Sequence, residues 1–320
     1  MNTNKHSLLK LLNNSQLRIG VLYGGFSSER PVSLKSGKAV AAGLRSLSYP
    51  VKLIDIKSPD PKRILADLKD CHISFIALHG KFGEDGQLQA LLDKHHIPYT
   101  GSGRQASLNA MDKFATKRLL DKHRIPGAPY RQLHISDSRF PVKACKAFWK
   151  WGKLVVKPRS EGSSVGVSIA RSADELYDAL KLAFRYDQDI LLEKYIAGRE
   201  VTVGILGNRP LPLIEMKPYK DFFSYRAKYK DNRTQYIVKP RIPAPAARMI
   251  QRQALRAYKS LGCKGFSRVD LIYAPAKKKA YVLEVNSIPG MTERSLVPKA
   301  ARAVGIEFPQ LCREIIRLSL

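Results

Sequence analysis

Strand and helix signals alternate through the first hundred residues, and no other feature constrains the fold as tightly. Residues 17–23 (LRIGVLY) are a short apolar run of strand length. Residues 32–47 carry helical spacing, 51–56 a second strand, 61–68 a helix and 73–78 a third strand. The pattern predicts an open parallel sheet with helices on its faces, an α/β unit over residues 17–103 behind an N-terminal extension of residues 1–16. Ligands of such sheets sit beyond the carboxyl ends of the strands. Two polar loops fall there, GGFSSER at 24–30 and HGKFGEDG at 79–86.

A second unit follows. Residues 112–123 read as a helix that stops before Pro126, and 154–157 and 165–170 as strands around a Gly/Ser loop. A helix over 173–184 and a strand over 190–194 complete it. The last third predicts strands at 200–206 and 211–216, a helix at 246–261, two further strands and two closing helices. Residues 217–241 hold eight basic and two acidic side chains without periodicity. Such a stretch is either a functional loop or disordered.

The 320 residues are enough for two or three packed units, and the 44% apolar content is that of a globular protein. No apolar run approaches bilayer length, and Leu8, Leu9, Leu11 and Leu12 lack the flanks of a signal peptide. We therefore expect a cytoplasmic protein with no membrane partner. Cys71, Cys145, Cys263 and Cys312 lie far apart, which implies reduced thiols and no zinc site. Fifty-six Lys and Arg against 27 Asp and Glu give a net charge of +29. The basic residues are spread along the chain without a nucleic-acid motif, so no nucleic acid is expected as partner.

The most informative segment is a predicted hairpin. FSRVDLIY at 266–273 and YVLEVN at 281–286 both alternate with period two. Pairing Asp270 with Glu284 sets Arg268 opposite Asn286. Val269, Leu271, Leu283 and Val285 would then face a core. Opposed carboxylates repel, and a divalent cation would relieve them, since carboxylate and amide oxygens suit Mg²⁺. The plainer alternative is a solvated face with an Arg–Asp pair.

Three further groups stand out. In KPRSEGSSVG (157–166), small residues let backbone N–H groups approach an anion that Lys157 could also reach. The same residues would equally make an ordinary turn. EKYI (193–196), with Glu200 beyond it, could offer backbone to an adenine edge and a carboxylate to ribose, or be a plain strand end. Glu29 and His79 both lie at strand carboxyl ends, where a ligand reading competes with a helix-start acid and a satisfied histidine.

In this order the motifs GGFSSERPVSLKSG, ALHGKFGEDG, YTGSG, MDK, VVKPRSEGSSVGVS, SRVDL and LEVNSIPGMTERSLVP resemble the D-alanine–D-alanine ligases of the ATP-grasp superfamily, from about Leu17 to the C-terminus. The resemblance implies an N-terminal Rossmann-like domain followed by a two-part ATP-grasp domain, its halves at 104–192 and 193–320. It implies ATP-dependent joining of two D-alanine molecules through an acyl phosphate, for peptidoglycan precursors. A related ligase taking D-serine or D-lactate second is the alternative. Lys113 and Lys157 would contact ATP phosphates, Glu193, Lys194, Tyr195 and Ile196 adenine, and Glu200 ribose. Asp270, Glu284 and Asn286 would hold two Mg²⁺, with Mn²⁺ as a substitute. Glu29 would bind the first D-alanine ammonium, linked through Ser163 and Tyr229, with His79 nearby. Arg268 and Gly290 would form the oxyanion site, and Ser295, Leu296 and Lys228 would receive the second D-alanine. The stretch 217–241 becomes a lid, and a homodimer is implied.

The chain departs from that pattern at Arg159-Ser160, Arg226, Arg233, Tyr195 and Ala90. These departures touch lid docking and ATP affinity. The proposed metal ligands and Lys157 are retained.

Overall fold

The computed structural model describes residues 2–217 and 234–320. An N-terminal helix, α1 (Asn2–Asn13), precedes β1 (Ile19–Gly24), α2 (Arg30–Ser46), β2 (Val51–Ile56), α3 (Pro61–Leu68) and β3 (Ile73–Ile76). The three strands form a parallel sheet in the order β2-β1-β3, as the alternation predicts. Leu8 and Leu12 of α1 are buried with Val40, Leu44, Phe75 and the closing helix Phe308–Ser319. Tyr49 donates to the Leu12 carbonyl at 2.6 Å, and Arg313 donates to the Tyr49 hydroxyl at 3.1 Å. The extension is thus folded onto the first sheet, and both chain ends share its core.

Two antiparallel sheets follow. One is β4 (Tyr130–His134), β7 (Asp189–Lys194), β5 (Leu154–Pro158) and β6 (Ser168–Ala170), in that spatial order. Its core residues pack against α7 (Phe140–Trp151) and α8 (Ala173–Ala183). The other runs β11 (Gln235–Val238), β10 (Ile214–Lys217), β8 (Arg199–Leu206), β12 (Phe266–Ala274), β13 (Lys279–Asn286). The helix Ala244–Ser260 covers that sheet through Ile250, Ala254 and Ala257.

Several elements differ from expectation. The second strand of the Gly/Ser hairpin, expected over 165–170, is shortened to Ser168–Ala170, because the turn runs on through Gly166, whose φ of +67° a strand cannot hold. The stretch 217–241 is not wholly irregular. Lys217 ends β10, and Gln235–Val238 pairs antiparallel with it, so the stretch has a hairpin base. Residues 218–233, which include Lys228, Tyr229, Arg226 and Arg233, lie outside the described residues. Helices at Gln87–Lys94, Arg104–Met111 and Phe140–Trp151 are not among the expected elements, and the first two are only eight residues long.

Leu12 is fully buried, with its helix clamped at the Tyr49 hydroxyl. We expect Leu12→Ala to cost about 2–5 kcal/mol, read as a lower urea midpoint. Unchanged unfolding would show that α1 adds nothing to the core.

Candidate active site

The site is built from the ends of elements. Lys157 lies near the end of β5, and its neighbour Arg159 ties the following loop to two other segments. Arg159 donates to Asp112 at 3.0 and 2.6 Å and to Asp189 at 2.7 Å. Asp112 also caps α6 (Lys113–Lys122), accepting from the amides of Phe114 and Ala115 at 2.8 and 3.2 Å. Lys113, the first residue of that helix, donates its amide to the Arg159 carbonyl at 3.2 Å and its Nζ to the Glu161 carbonyl at 2.5 Å. Arg159 therefore acts as a clamp between the glycine loop and the helix that carries Lys113. Burial holds the Lys113 ammonium below its ordinary value.

Lys157 and Lys117 both pair with the carboxylate of Glu193; Lys117 and Glu193 are buried, and Lys157 keeps a small exposed edge. Burial alone would raise the Glu193 carboxyl, but the two lysines more than offset it and hold it at about 2. Burial pushes Lys117 down, while Glu193 holds Lys157 above the ordinary value despite burial. Lys117 had not been singled out from the sequence. It lies four residues after Lys113, on the same face of α6, and that spacing was the available signal.

Lys113 and Lys157 line a cleft of about 480 Å³ between the two antiparallel sheets, and Lys117 lies behind them. Val155, Ile169, Ile196, Met216, Ile272 and Leu283 supply its apolar walls, and Glu193, Lys194, Tyr195, Ile196 and Glu200 run along one side. Lys153 sits over the Tyr195 ring, 4.6 Å from its centroid. Arg199 and Glu215, a second pair absent from the sequence reading, close one end through bonds of 2.8 and 2.7 Å. A flat apolar slot beside these lysines can take an aromatic base with a polyphosphate.

Asp270 and Glu284 also line this cleft. The observed register sets Asp270 opposite Glu284 and Arg268 opposite Asn286, as the alternation predicts. One expectation is corrected. A bulge between Asp270 and Leu271 moves Leu271 opposite Val282, so Leu283 turns to the cleft and Val282 takes the core place expected for it. Asp270 is buried. It accepts from Thr202 Oγ1 at 2.6 Å, from Arg268 Nε and Nη2 at 2.9 and 2.8 Å, and from Asn286 Nδ2 at 3.3 Å. Two carboxylates and an amide oxygen are the hard donors Mg²⁺ favours. Among the described residues no cluster of three or more His, Cys, Asp or Glu could hold a metal alone. An ion here would need further oxygens, such as those of a nucleotide.

A small recess lined by Lys113, Glu161, Gly162, Glu284 and Asn286 adjoins the cleft. Gly162 also faces the loop after β1: a Cβ there would lie 3.4 Å from Glu29 Oε2. Ser163 Oγ donates to the Glu29 carboxylate across 134 residues of sequence. Gly80 must stay glycine, since a Cβ would come within 2.6 Å of Ser27 Oγ and 2.8 Å of Glu29 Oε2 at a φ of +75°. His79 is fully engaged by protein. Nε2 pairs with Ser36 Oγ at 3.0 Å, and Nδ1 with the Ile288 carbonyl at 3.0 Å and Glu84 at 3.3 Å. Burial alone would lower the imidazole pKa, but Glu84 and Glu29 outweigh it and raise the value. Ser36 also accepts from the Met291 amide at 3.1 Å, so His79 and Ser36 fix the loop that carries Gly290. Ser295 Oγ accepts from the Thr292 amide at 3.0 Å and lies 3.2 Å from where a Gly290 Cβ would stand. Leu296 opens the helix Leu296–Arg302 and packs against the first core.

Comparison with known proteins agrees with this geometry. Residues 119–317 match the family profile described as D-ala D-ala ligase C-terminus, and residues 59–102 that described as D-ala D-ala ligase N-terminus. The chain is 42% identical over 311 residues to the D-alanine–D-alanine ligase of Pelotomaculum thermopropionicum, covering 95% of this chain and 97% of that one. It is 44% identical over 307 residues to the enzyme so named from Desulforudis audaxviator, covering 94% and 98%. Among solved structures, the D-alanine–D-alanine ligase of Bacillus anthracis complexed with ATP superposes with a TM-score of 0.81 at 35% identity, covering 95% and 97%.

Glu193→Gln strips the counter-charge from Lys117 and Lys157. We expect a loss of about 3–5 kcal/mol at neutral pH. The folded carboxyl sits at about 2 and the unfolded one near about 4.3. The carboxylate's contribution is therefore complete above the unfolded value and fades as pH falls towards the folded one. Urea melts of both proteins across this range check it. A difference that persists unchanged in acid would contradict the pairing.

Proposed function

The chain belongs to the D-alanine–D-alanine ligase family, and on that premise we propose that it joins two D-alanine molecules at the expense of ATP, with the cleft between its antiparallel sheets as the nucleotide site. The observation that carries the reading is one contiguous arrangement. Lys113, Lys157 and an opposed carboxylate pair line the cleft, while Ser163 joins the glycine loop to Glu29 of the first sheet.

In this reading adenine lies along residues 193–196, ribose on Glu200, and the phosphates against Lys113 and Lys157. Asp270, Glu284 and Asn286 hold magnesium, which when bound with nucleotide adds positive charge at the phosphate oxygens. Glu29, oriented by Ser163, pairs with the ammonium of the first D-alanine. That molecule's carboxylate attacks the γ-phosphorus, giving an acyl phosphate and ADP. The lysines offset the charge that spreads over the transferring group. The second amine then attacks the acyl carbon, and phosphate leaves. Arg268 and the Gly290 amide stabilise the tetrahedral oxyanion. His79 and Ser36 act through the loop that presents Gly290. Ser295 and Leu296 border the second substrate together with Lys228, which lies outside the described residues, as does Tyr229. The product would serve peptidoglycan synthesis, in the cytoplasm and as a homodimer.

The test is ADP release with D-alanine, with L-alanine and with no amino acid. We expect release with D-alanine alone, and equal release with L-alanine would overturn the assignment. Glu284→Gln separates the site from the fold. It removes a charge that repels Asp270 but attracts Lys113 and Lys157, so ligand-free stability should change little, while turnover is lost even at saturating Mg²⁺. Substantial activity in that variant would sink the metal assignment.

A further inference from the structure

The helix α7 carries apolar residues on two faces. One face is internal: Ala144 and Ala147 are buried, and Phe140, Phe148 and Trp151 pack against the same core. The other consists of Pro141, Val142, Cys145 and Trp149, and it faces solvent. At 3.6 residues per turn these four fall within about 100° of arc. Val142 is 54% exposed and Trp149 86% exposed, the largest value among the exposed large hydrophobic residues. These residues, with Lys146 and Lys150, line a shallow open depression. A tryptophan held this far into water has no folding reason to be there.

Charge lies beside the stripe. Lys143, Lys146 and Lys150 form the adjacent row of the helix, and all three are exposed. The helix contains no acidic residue, and the segment 131–153 contains six basic side chains and one acidic one, Asp137. Asp137 pairs with Lys143, and Lys146 and Lys150 are the cations nearest the stripe. The neighbouring helix α8 differs: its exposed side shows Asp174, Glu175 and Asp178. The cationic, apolar character of α7 is thus not shared by its neighbour α8.

We propose that α7 docks the protein on an anionic phospholipid surface, with Trp149 and Val142 at the headgroup–acyl boundary and Lys146 and Lys150 on the lipid phosphates. An interfacial helix needs an apolar face, a basic face and an aromatic anchor, and α7 has all three. The partner is a lipid surface in preference to nucleic acid because an exposed Trp–Val stripe gains from entering an acyl boundary, whereas a duplex backbone offers it little. This contact is peripheral, and among the described residues no helix is long and apolar enough to cross a membrane. The expectation of no membrane partner rests on the absence of spanning segments, and a surface contact needs none. The net charge of +29 adds long-range attraction to the same kind of surface.

The protein carries its own probe, since its two tryptophans are Trp149 and Trp151. The full chain is mixed with vesicles of equal phosphatidylglycerol and phosphatidylcholine, or of phosphatidylcholine alone, and followed by tryptophan emission and co-sedimentation. We expect a blue shift and sedimentation with the anionic vesicles only, both lost near about 1 M salt, where the Debye length is about 3 Å. Trp149→Ala should abolish the shift while ADP release without vesicles stays at the wild-type rate. The double variant Lys146→Glu and Lys150→Glu should lower partitioning about tenfold or more. Failure to bind anionic vesicles at low salt overturns the proposal. So does binding that both variants retain, which would make the basic surface at large responsible. A Trp149-dependent dimer that ignores vesicles would assign the stripe to a second copy of the chain and overturn it equally.

Discussion

A buried carboxylate between a buried lysine and a partly buried one is the interaction on which the rest of the site depends. Glu193 lies on β7, Lys157 on β5 and Lys117 on α6, so one charge cluster ties two strands and a helix together. Burying these groups is unfavourable singly and tolerable only in combination. Two cations share one anion, which leaves net positive charge at the inner end of the cleft. Glu284 and Glu200 add negative potential at Lys157 from the opposite sheet. A ligand entering here meets lysines already desolvated and already placed, the condition under which positive charge acts most strongly on phosphate.

The Arg159 clamp extends that preorganisation to Lys113. The guanidinium is held by Asp112 and Asp189, and it stacks over the Phe114 ring 4.9 Å from the centroid. One arginine thus fixes the entry to the glycine loop, the cap of α6 and the start of β7 together. Arg159-Ser160 departs from the family pattern, a departure expected to touch ATP affinity. In the structure the arginine supports the loop from behind through two acids.

What was legible in the sequence was what period and punctuation encode. The parallel sheet followed from alternating patterns, and the register of Asp270 against Glu284 from two period-two runs joined by a short connection. The bulge at Leu283 was not legible, because a single unpaired residue leaves hydrophobicity unchanged while reversing which face it occupies. Lys117 was hidden for a different reason. A lysine in an amphipathic helix looks like a solvated residue until the strand carrying its partner is known to lie beneath it. The paired acids of Arg159 are 47 and 30 residues away in sequence, and no local rule connects them. Where function was concerned, the residue types in each motif were readable, and their convergence came only with tertiary placement.

The link between Ser163 and Glu29 shows why that convergence matters chemically. The lysines and the carboxylate pair belong to the two antiparallel sheets, whereas Glu29 belongs to the parallel one. A phosphoryl acceptor must lie in line with the γ-phosphate, so its binding group must be registered against the phosphate loop and not merely near it. Ser163 takes a left-handed backbone conformation at a φ of +50°, strained for a side chain of its type, and it spends its hydroxyl on Glu29. Gly80 and Gly162 make room for that contact by lacking side chains on either side of the carboxylate. On the proposed function, the glycine loop would have two tasks, to cradle an anion and to set the distance from that anion to the acid on the first sheet. The second task explains why residue 163 carries a hydroxyl where glycine would hold the same turn with less strain.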